Sequence, residues 1–207
     1  MDKKIFIVNN LREIIQNPKT ELHYSSVFQL LIAVMLSAQC TDKRVNIVTK
    51  ELFLKWDTPE KLATADIIDV EDVIKPCGFY HNKAKNIIEC SKQIVESYNG
   101  EVPNDLEKLQ SLAGVGRKTA SVVLAVGFGI PAMPVDTHVF RVSKRLGLSD
   151  GKDVEKVERD LSMTFDKKDW NELHHLILLF GRYYCTARNP KCKDCVFKEI
   201  CTYKGEK

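Results

Sequence analysis

The sequence predicts an all-α protein, and three observations carry that reading. Apolar residues recur at helical intervals, strand-like alternation is hard to find, and turn residues punctuate the stretches clearly. Between Lys83 and Tyr98, the residues Ala84, Ile87, Ile88, Ile94, Val95 and Tyr98 form one apolar stripe. Val135, Val139, Val142 and Leu146 repeat the pattern, as do Val154, Val157, Leu161 and Phe165. Further helices are expected near 4–16, 25–38, 42–55, 66–75, 105–112, 117–128 and 170–184. Breaks fall at Asn17-Pro18, Thr58-Pro59, Asn99-Gly100, Pro103 and the stretch from Gly127 to Pro131. There is no internal repeat and no low-complexity segment.

A chain of 207 residues suffices for one large core or two modest domains. With 44% hydrophobic and 29% charged residues it has the balance of a folded protein rather than a disordered one. The net charge of +3 argues only weakly for a polyanionic partner. The apolar run at the N-terminus is too short for a signal peptide. Val27 to Ala38 is too short to span a bilayer and is broken by Gln29 and Ser37. The expectation is a cytoplasmic protein, nucleoid-associated in a prokaryote, with no membrane partner. In a reducing compartment its seven cysteines are thiols or metal ligands rather than disulfides.

Four of those cysteines crowd the C-terminus. Cys185, Cys192, Cys195 and Cys201 form C-x6-C-x2-C-x5-C within 17 residues. Thiolates packed this closely repel one another unless a cation neutralises them, so a metal centre is expected. Zinc usually takes two short-spaced pairs, and only Cys192 and Cys195 make one; the spacing favours iron–sulfur without excluding zinc. The segment is too loop-like to bury a core of its own, and a metal centre would supply one. Cys40, Cys77 and Cys90 read as scattered small hydrophobes.

A second constellation runs from Leu109 to Ala120. A helix ends near Leu112, Gly114 and Gly116 bracket Val115, and a new helix opens around Arg117. The glycines permit a tight turn and a close backbone approach, and the helix start offers free N–H groups to a phosphate. This is the helix-hairpin-helix pattern of DNA binders that grip phosphates through backbone amides. A plain packing turn would use the same residues. The spacing is not that of a Walker loop. Lys118 lies in the first helical turn, where the helix dipole disfavours a cation. It is a phosphate contact, a solvated surface residue or a nucleophilic amine. Asp136 stands just before a helical stripe, as an N-cap does, and a cap is compatible with a catalytic carboxylate. His174-His175 lacks the HExxH pattern of a hydrolytic metal site and falls among leucines, so packing explains it better.

Together these residues resemble endonuclease III of the helix-hairpin-helix glycosylase superfamily. The resemblance rests on Leu112 to Ala120, on Val135-Asp136-Thr137-His138, and on the cysteine tail. Leu36 to Asp42, Gly78-Phe79-Tyr80 and Asn82-Lys83-Ala84 extend it over nearly the whole chain. It implies a two-lobed all-α fold: a six-helix barrel at 20–131 and a discontinuous lobe, 1–19 with 132–207, that carries a 4Fe-4S cluster. It implies Lys118 as nucleophile, Asp136 as essential carboxylate, and Cys185, Cys192, Cys195 and Cys201 as cluster ligands. It also implies Gln39 and Phe79 as the residues that fill the gap left by an expelled nucleotide. Ala113 departs from a usual proline, Cys40 from a smaller residue, and Phe79 from a usual leucine.

The implied activity is that of a bifunctional DNA glycosylase and abasic-site lyase acting on oxidised pyrimidines. The implied partner of this monomer is double-stranded DNA with a damaged base or abasic site. Gly114, Val115, Gly116 and Arg117 are expected to contact DNA, as are Lys191 and Lys193 on the cluster loop. A monofunctional relative would lack a lysine at position 118, and a binding or redox module would leave Asp136, Gln39 and Phe79 without a task.

Overall fold

The computed structural model describes residues 2–203; Met1 and 204–207, the ends of the expected discontinuous lobe, lie outside the described residues. Every regular element among them is helical, as the periodicity predicts. Eleven α-helices follow one another: α1 (Lys3–Ile14), α2 (Val27–Leu36), α3 (Asp42–Lys55), α4 (Pro59–Ala63), α5 (Ile67–Ile74), α6 (Tyr80–Tyr98), α7 (Leu106–Ser111), α8 (Arg117–Val122), α9 (Thr137–Arg145), α10 (Val154–Thr164) and α11 (Trp170–Tyr183). Internal packing divides the chain into two units, Glu21–Ile130, and Met1–Thr20 with Pro131–Lys207. No helix among the described residues is long and apolar enough to cross a membrane.

In the unit Glu21–Ile130, α2 is apolar on every side and therefore central. Leu30, Leu31, Ile32, Ala33 and Leu36 are fully buried there, and α3, α6 and α8 pack around it. Ser26 caps its start by accepting from the Gln29 N–H at 3.2 Å. The long α6 presents Ala84, Ile87, Cys90 and Ile94 as one buried stripe, against which α4 and α5 lie. Two boundaries differ from the sequence reading. Thr58-Pro59 starts a helix rather than only separating two: Thr58 accepts from the Lys61 N–H at 3.4 Å and Pro59 occupies the first turn, where its missing N–H leaves nothing unpaired. The segment expected as one helix at 117–128 is regular only to Val122, then widens into a π-turn at Val123–Gly127. Its exit is closed by the N–H groups of Phe128 and Ile130, both donating to the Leu124 carbonyl.

In the other unit, α9 packs on α11, with α1 against α11 and α10 against α9. Close approach is possible because Gly181 faces the Cβ of His138 and a methyl of Val142; a Cβ added there would lie 3.0 Å from each. The core contains Ile7, Leu11, Val139, Val142, Leu161, Leu176, Ile177 and Phe180. It also contains Phe197, which belongs to the cysteine loop. Phe197 is fully buried, with its ring edge-on to Phe180 at 5.2 Å and to Phe6 at 6.2 Å. The loop therefore has one apolar anchor in the core, which the cysteine spacing does not reveal. His174 and His175 are buried in α11; each donates from Nδ1, to the Pro134 and Asn171 carbonyls respectively, both at 2.8 Å.

Two outcomes are expected. Phe197→Ala should destabilise the protein by about 3–5 kcal/mol, the usual loss for a fully buried aromatic, read by denaturant unfolding. Burial holds the His175 imidazole below the ordinary histidine value of 6.5, so the unfolded chain takes up a proton that the native state refuses. The linked stability is complete above 6.5 and is lost as the pH falls from there toward the native value. Thermal melts should show the midpoint dropping between pH 7 and pH 5. His175→Asn, which keeps a donor near Nδ1 and cannot titrate, should flatten that slope; His138, also lowered by burial, retains part of it.

Candidate active site

The glycine hairpin is docked on α6. The Ala113 N–H donates to Gln93 Oε1 at 2.7 Å, and Val115 closes the turn by donating to the Leu112 carbonyl at 3.1 Å. Leu109, Leu112 and Val115 are buried beneath it. Gly114 has φ +73°, and a Cβ there would meet the Asn86 Cβ at 2.7 Å, so both backbone and space demand glycine. Gly116 differs: its φ is −86° and an added Cβ would meet nothing within 4 Å. The fold itself does not require glycine at 116; the bare backbone there faces open space. Helices α2, α3, α5 and α7 of this unit are capped by Ser, Thr or Asp side chains, whereas α8 has no side-chain cap. No side chain of the hairpin closes that first turn. Lys118 sits in that first turn, exposed, with no hydrogen-bond or ion-pair partner among the described residues.

Two further turns of the same unit carry Gln39 and Phe79. Both residues are exposed in the left-handed region, at φ 55° and 49°, which non-glycine residues adopt rarely. Phe79 is 65% exposed, an unusual setting for a large aromatic ring with no apolar shelter. The turns are joined by Lys83, which sequence reading uses only as part of a family segment. Its buried ammonium donates to the carbonyls of Leu36 (2.9 Å), Ala38 (2.8 Å) and Cys77 (3.0 Å). Desolvation lowers its pKa from the ordinary lysine value. Cys40 and Cys77, far apart in sequence and expected to be unrelated, meet at this junction. Burial first, then contact with Cys40, pushes the Cys77 thiol up to about 12.

Asp136 belongs to the other unit. It caps α9 as expected: Oδ1 accepts from the N–H groups of His138 (2.9 Å) and Val139 (2.8 Å), and Oδ2 takes no part in the cap. The opposite end of α9 holds the cysteine loop. Arg141 Nε donates to the Cys185 carbonyl at 3.0 Å and Nη2 to the Gly181 carbonyl at 2.8 Å. Arg145 Nη1 donates to Cys185 Sγ at 3.3 Å and to the Thr186 carbonyl at 2.9 Å, while its guanidinium lies 3.8 Å over the Tyr203 ring. Their i, i+4 spacing on a polar helix face is visible in the sequence, but nothing there shows where the face points.

Cys185, Cys192, Cys195 and Cys201 line one cavity of about 440 Å³, with Arg145 and Lys191 in its wall. Four thiols lining one cavity, with a guanidinium on one sulfur, fit an iron–sulfur cluster, whose net negative charge the cations would offset. Lys191 also stacks its ammonium over Tyr184 at 4.8 Å. Lys193 is exposed and stands outside the cavity wall.

Residues 32–167 match the HhH-GPD superfamily of base excision DNA repair proteins, and residues 185–201 match the iron–sulfur binding domain of endonuclease III. The endonuclease III of Bacillus subtilis is 47% identical over 98% of this chain and 92% of its own length. That of Rickettsia conorii is 49% identical over 95% and 96%. A solved trapped endonuclease III–DNA covalent intermediate superposes with a TM-score of 0.93 at 43% identity, covering 98% of this chain and 96% of that one. Continuous identity at this level, with the cysteine loop included, places the chain: it belongs to the endonuclease III family of base excision DNA repair enzymes and carries that family's iron–sulfur binding domain.

Proposed function

We propose that the chain removes oxidised pyrimidines, such as thymine glycol, from duplex DNA and then cleaves the strand at the abasic site through a Lys118 Schiff base. The observation that carries this reading is Lys118 itself. It is an exposed amine in the first turn of an uncapped helix, behind a hairpin whose Gly116 leaves its backbone bare. No carboxylate among the described residues ties that amine into an ion pair, so no contact holds its nitrogen away from a substrate.

A base inside a duplex is out of reach, so the damaged nucleotide is extruded, and damage itself reduces the cost. Gln39 and Phe79 occupy the vacated stack. Backbone amides from Gly114 to Arg117 hold phosphates of the strand, and Lys191 and Lys193 add contacts from the cysteine loop. Lys118 Nζ bonds to C1′ of the deoxyribose while the glycosidic bond breaks, its electron pair leaving with the base. Asp136, oriented by its cap, assists removal of the amine proton and stabilises positive charge on the sugar. Ring opening gives the Schiff base. Loss of a C2′ proton then expels the 3′ phosphate by β-elimination. The iron–sulfur cluster, held by Cys185, Cys192, Cys195 and Cys201, gives the loop a rigid cross-link. Its ligands' own task is to shape that loop for phosphate contact.

Borohydride trapping on a duplex with one thymine glycol tests the reading. A covalent protein–DNA band is expected from the parent chain and from neither Lys118→Ala nor Lys118→Gln. Base release with an intact strand and no band would replace the reading with a monofunctional glycosylase. Removal of the cluster by oxidation or chelation should abolish binding to an abasic duplex in a gel-shift assay. Normal binding by cluster-free protein would refute the loop-shaping role.

A further inference from the structure

Among the described residues Lys83 is the one lysine or arginine that is buried, at 8% exposure, and the chemistry above gives it no task. Its three N–H groups are matched by three carbonyls, so the ammonium is fully paired although it is removed from water. Those carbonyls come from two segments about 40 residues apart in the chain. Leu36 ends α2, where carbonyls lack helical partners and a cation is favoured, and Ala38 immediately precedes Gln39. Cys77 stands two residues before Phe79. The same lysine also donates its backbone N–H to the Phe79 carbonyl at 3.1 Å, so one residue grips both turns.

We propose that Lys83 is a positioning residue for nucleotide extrusion: its ammonium fixes the turn presenting Gln39 against the turn presenting Phe79. The proposal rests on the reading that these two side chains fill the vacated stack. Filling such a gap needs two side chains at a set separation. Each sits in a short irregular turn, in a backbone region that its own residue type disfavours. Tying both turns to one ammonium removes their relative freedom before DNA arrives, so that freedom is not lost during extrusion. An apolar side chain of equal length would fill the space and leave three carbonyls unpaired.

The test uses the full-length, cluster-loaded protein with Lys83→Met, and with Lys83→Gln, which keeps two donors. Two substrates are compared under single turnover: a thymine glycol duplex, where a stack must be filled, and an abasic site in a single strand, where none exists. Gln39→Ala and Phe79→Ala serve as references. Lys83→Met is expected to slow base release from the duplex by about tenfold or more, the loss typical of a hydrogen-bonded charge. It should keep most of its single-strand cleavage, and on the duplex Lys83→Gln should fall between Lys83→Met and the parent. Duplex activity within about twofold of the parent would overturn the proposal, since that is below the loss expected for one such bond. So would equal losses on both substrates, which mark a purely structural role. If Lys83→Met does not fold, Lys83→Gln carries the same comparison. If Gln39→Ala and Phe79→Ala leave duplex activity unchanged, the stack-filling premise fails, and the proposal fails with it.

Discussion

A loop of nearly twenty residues without regular secondary structure cannot hold its shape through its own backbone, and α9 supplies what it lacks. Arg141 and Arg145, one helical turn apart, reach the end of α11 and bind the carbonyls of Gly181, Cys185 and Thr186 and the Cys185 sulfur. Phe197 adds an apolar anchor in the core beneath. The N-terminus of the same helix is capped by Asp136. The carboxylate assigned to proton transfer and the grip on the cysteine loop are therefore two ends of one short rigid rod. A disturbance of the loop that tilted α9 would reach Asp136 without passing through any flexible segment.

The unit Glu21–Ile130 solves a different problem. It exposes Lys118, the Gly116 backbone, Gln39 and even the Phe79 ring, which would gain from burial, and holds the turns that carry them. Gln39 and Phe79 sit on turns beside α2 and α6, and Lys118 lies in the first turn of α8, which packs on α2. Polar pins from the half-buried Gln93 to Ala113 and from the buried Lys83 to three carbonyls replace the apolar contacts that exposed residues do not make. Rigidity is supplied from below.

Much of this was legible in the sequence because it is local. Helical stripes, the Asp136 cap, the hairpin glycines and the cysteine spacing are all patterns within a few residues. The π-turn at Val123–Gly127 was not legible, since its apolar residues suit an ordinary helix equally well. The short helix at Pro59 was hidden because proline reads as a break whether it ends one element or begins another. Arg141, Arg145, Lys83 and Phe197 escaped for one common reason. Their partners lie far along the chain, and a basic or aromatic residue carries no local mark of a distant carbonyl or core. Lys118 and Asp136 are each placed within their own unit, and the joint role proposed for them rests on chemistry rather than on a local pattern.

The buried ammonium of Lys83 also sets a rule for modularity. The turns around Gln39 and Phe79 look like separate cassettes, short enough to exchange with those of a relative. They share a single cation, carried by the opening turn of α6, which pairs with carbonyls from both. A graft of either turn must therefore move three pieces together: the end of α2, the Cys77–Phe79 turn and the start of α6. Transplanting the aromatic residue alone would change the ring and leave its mounting behind.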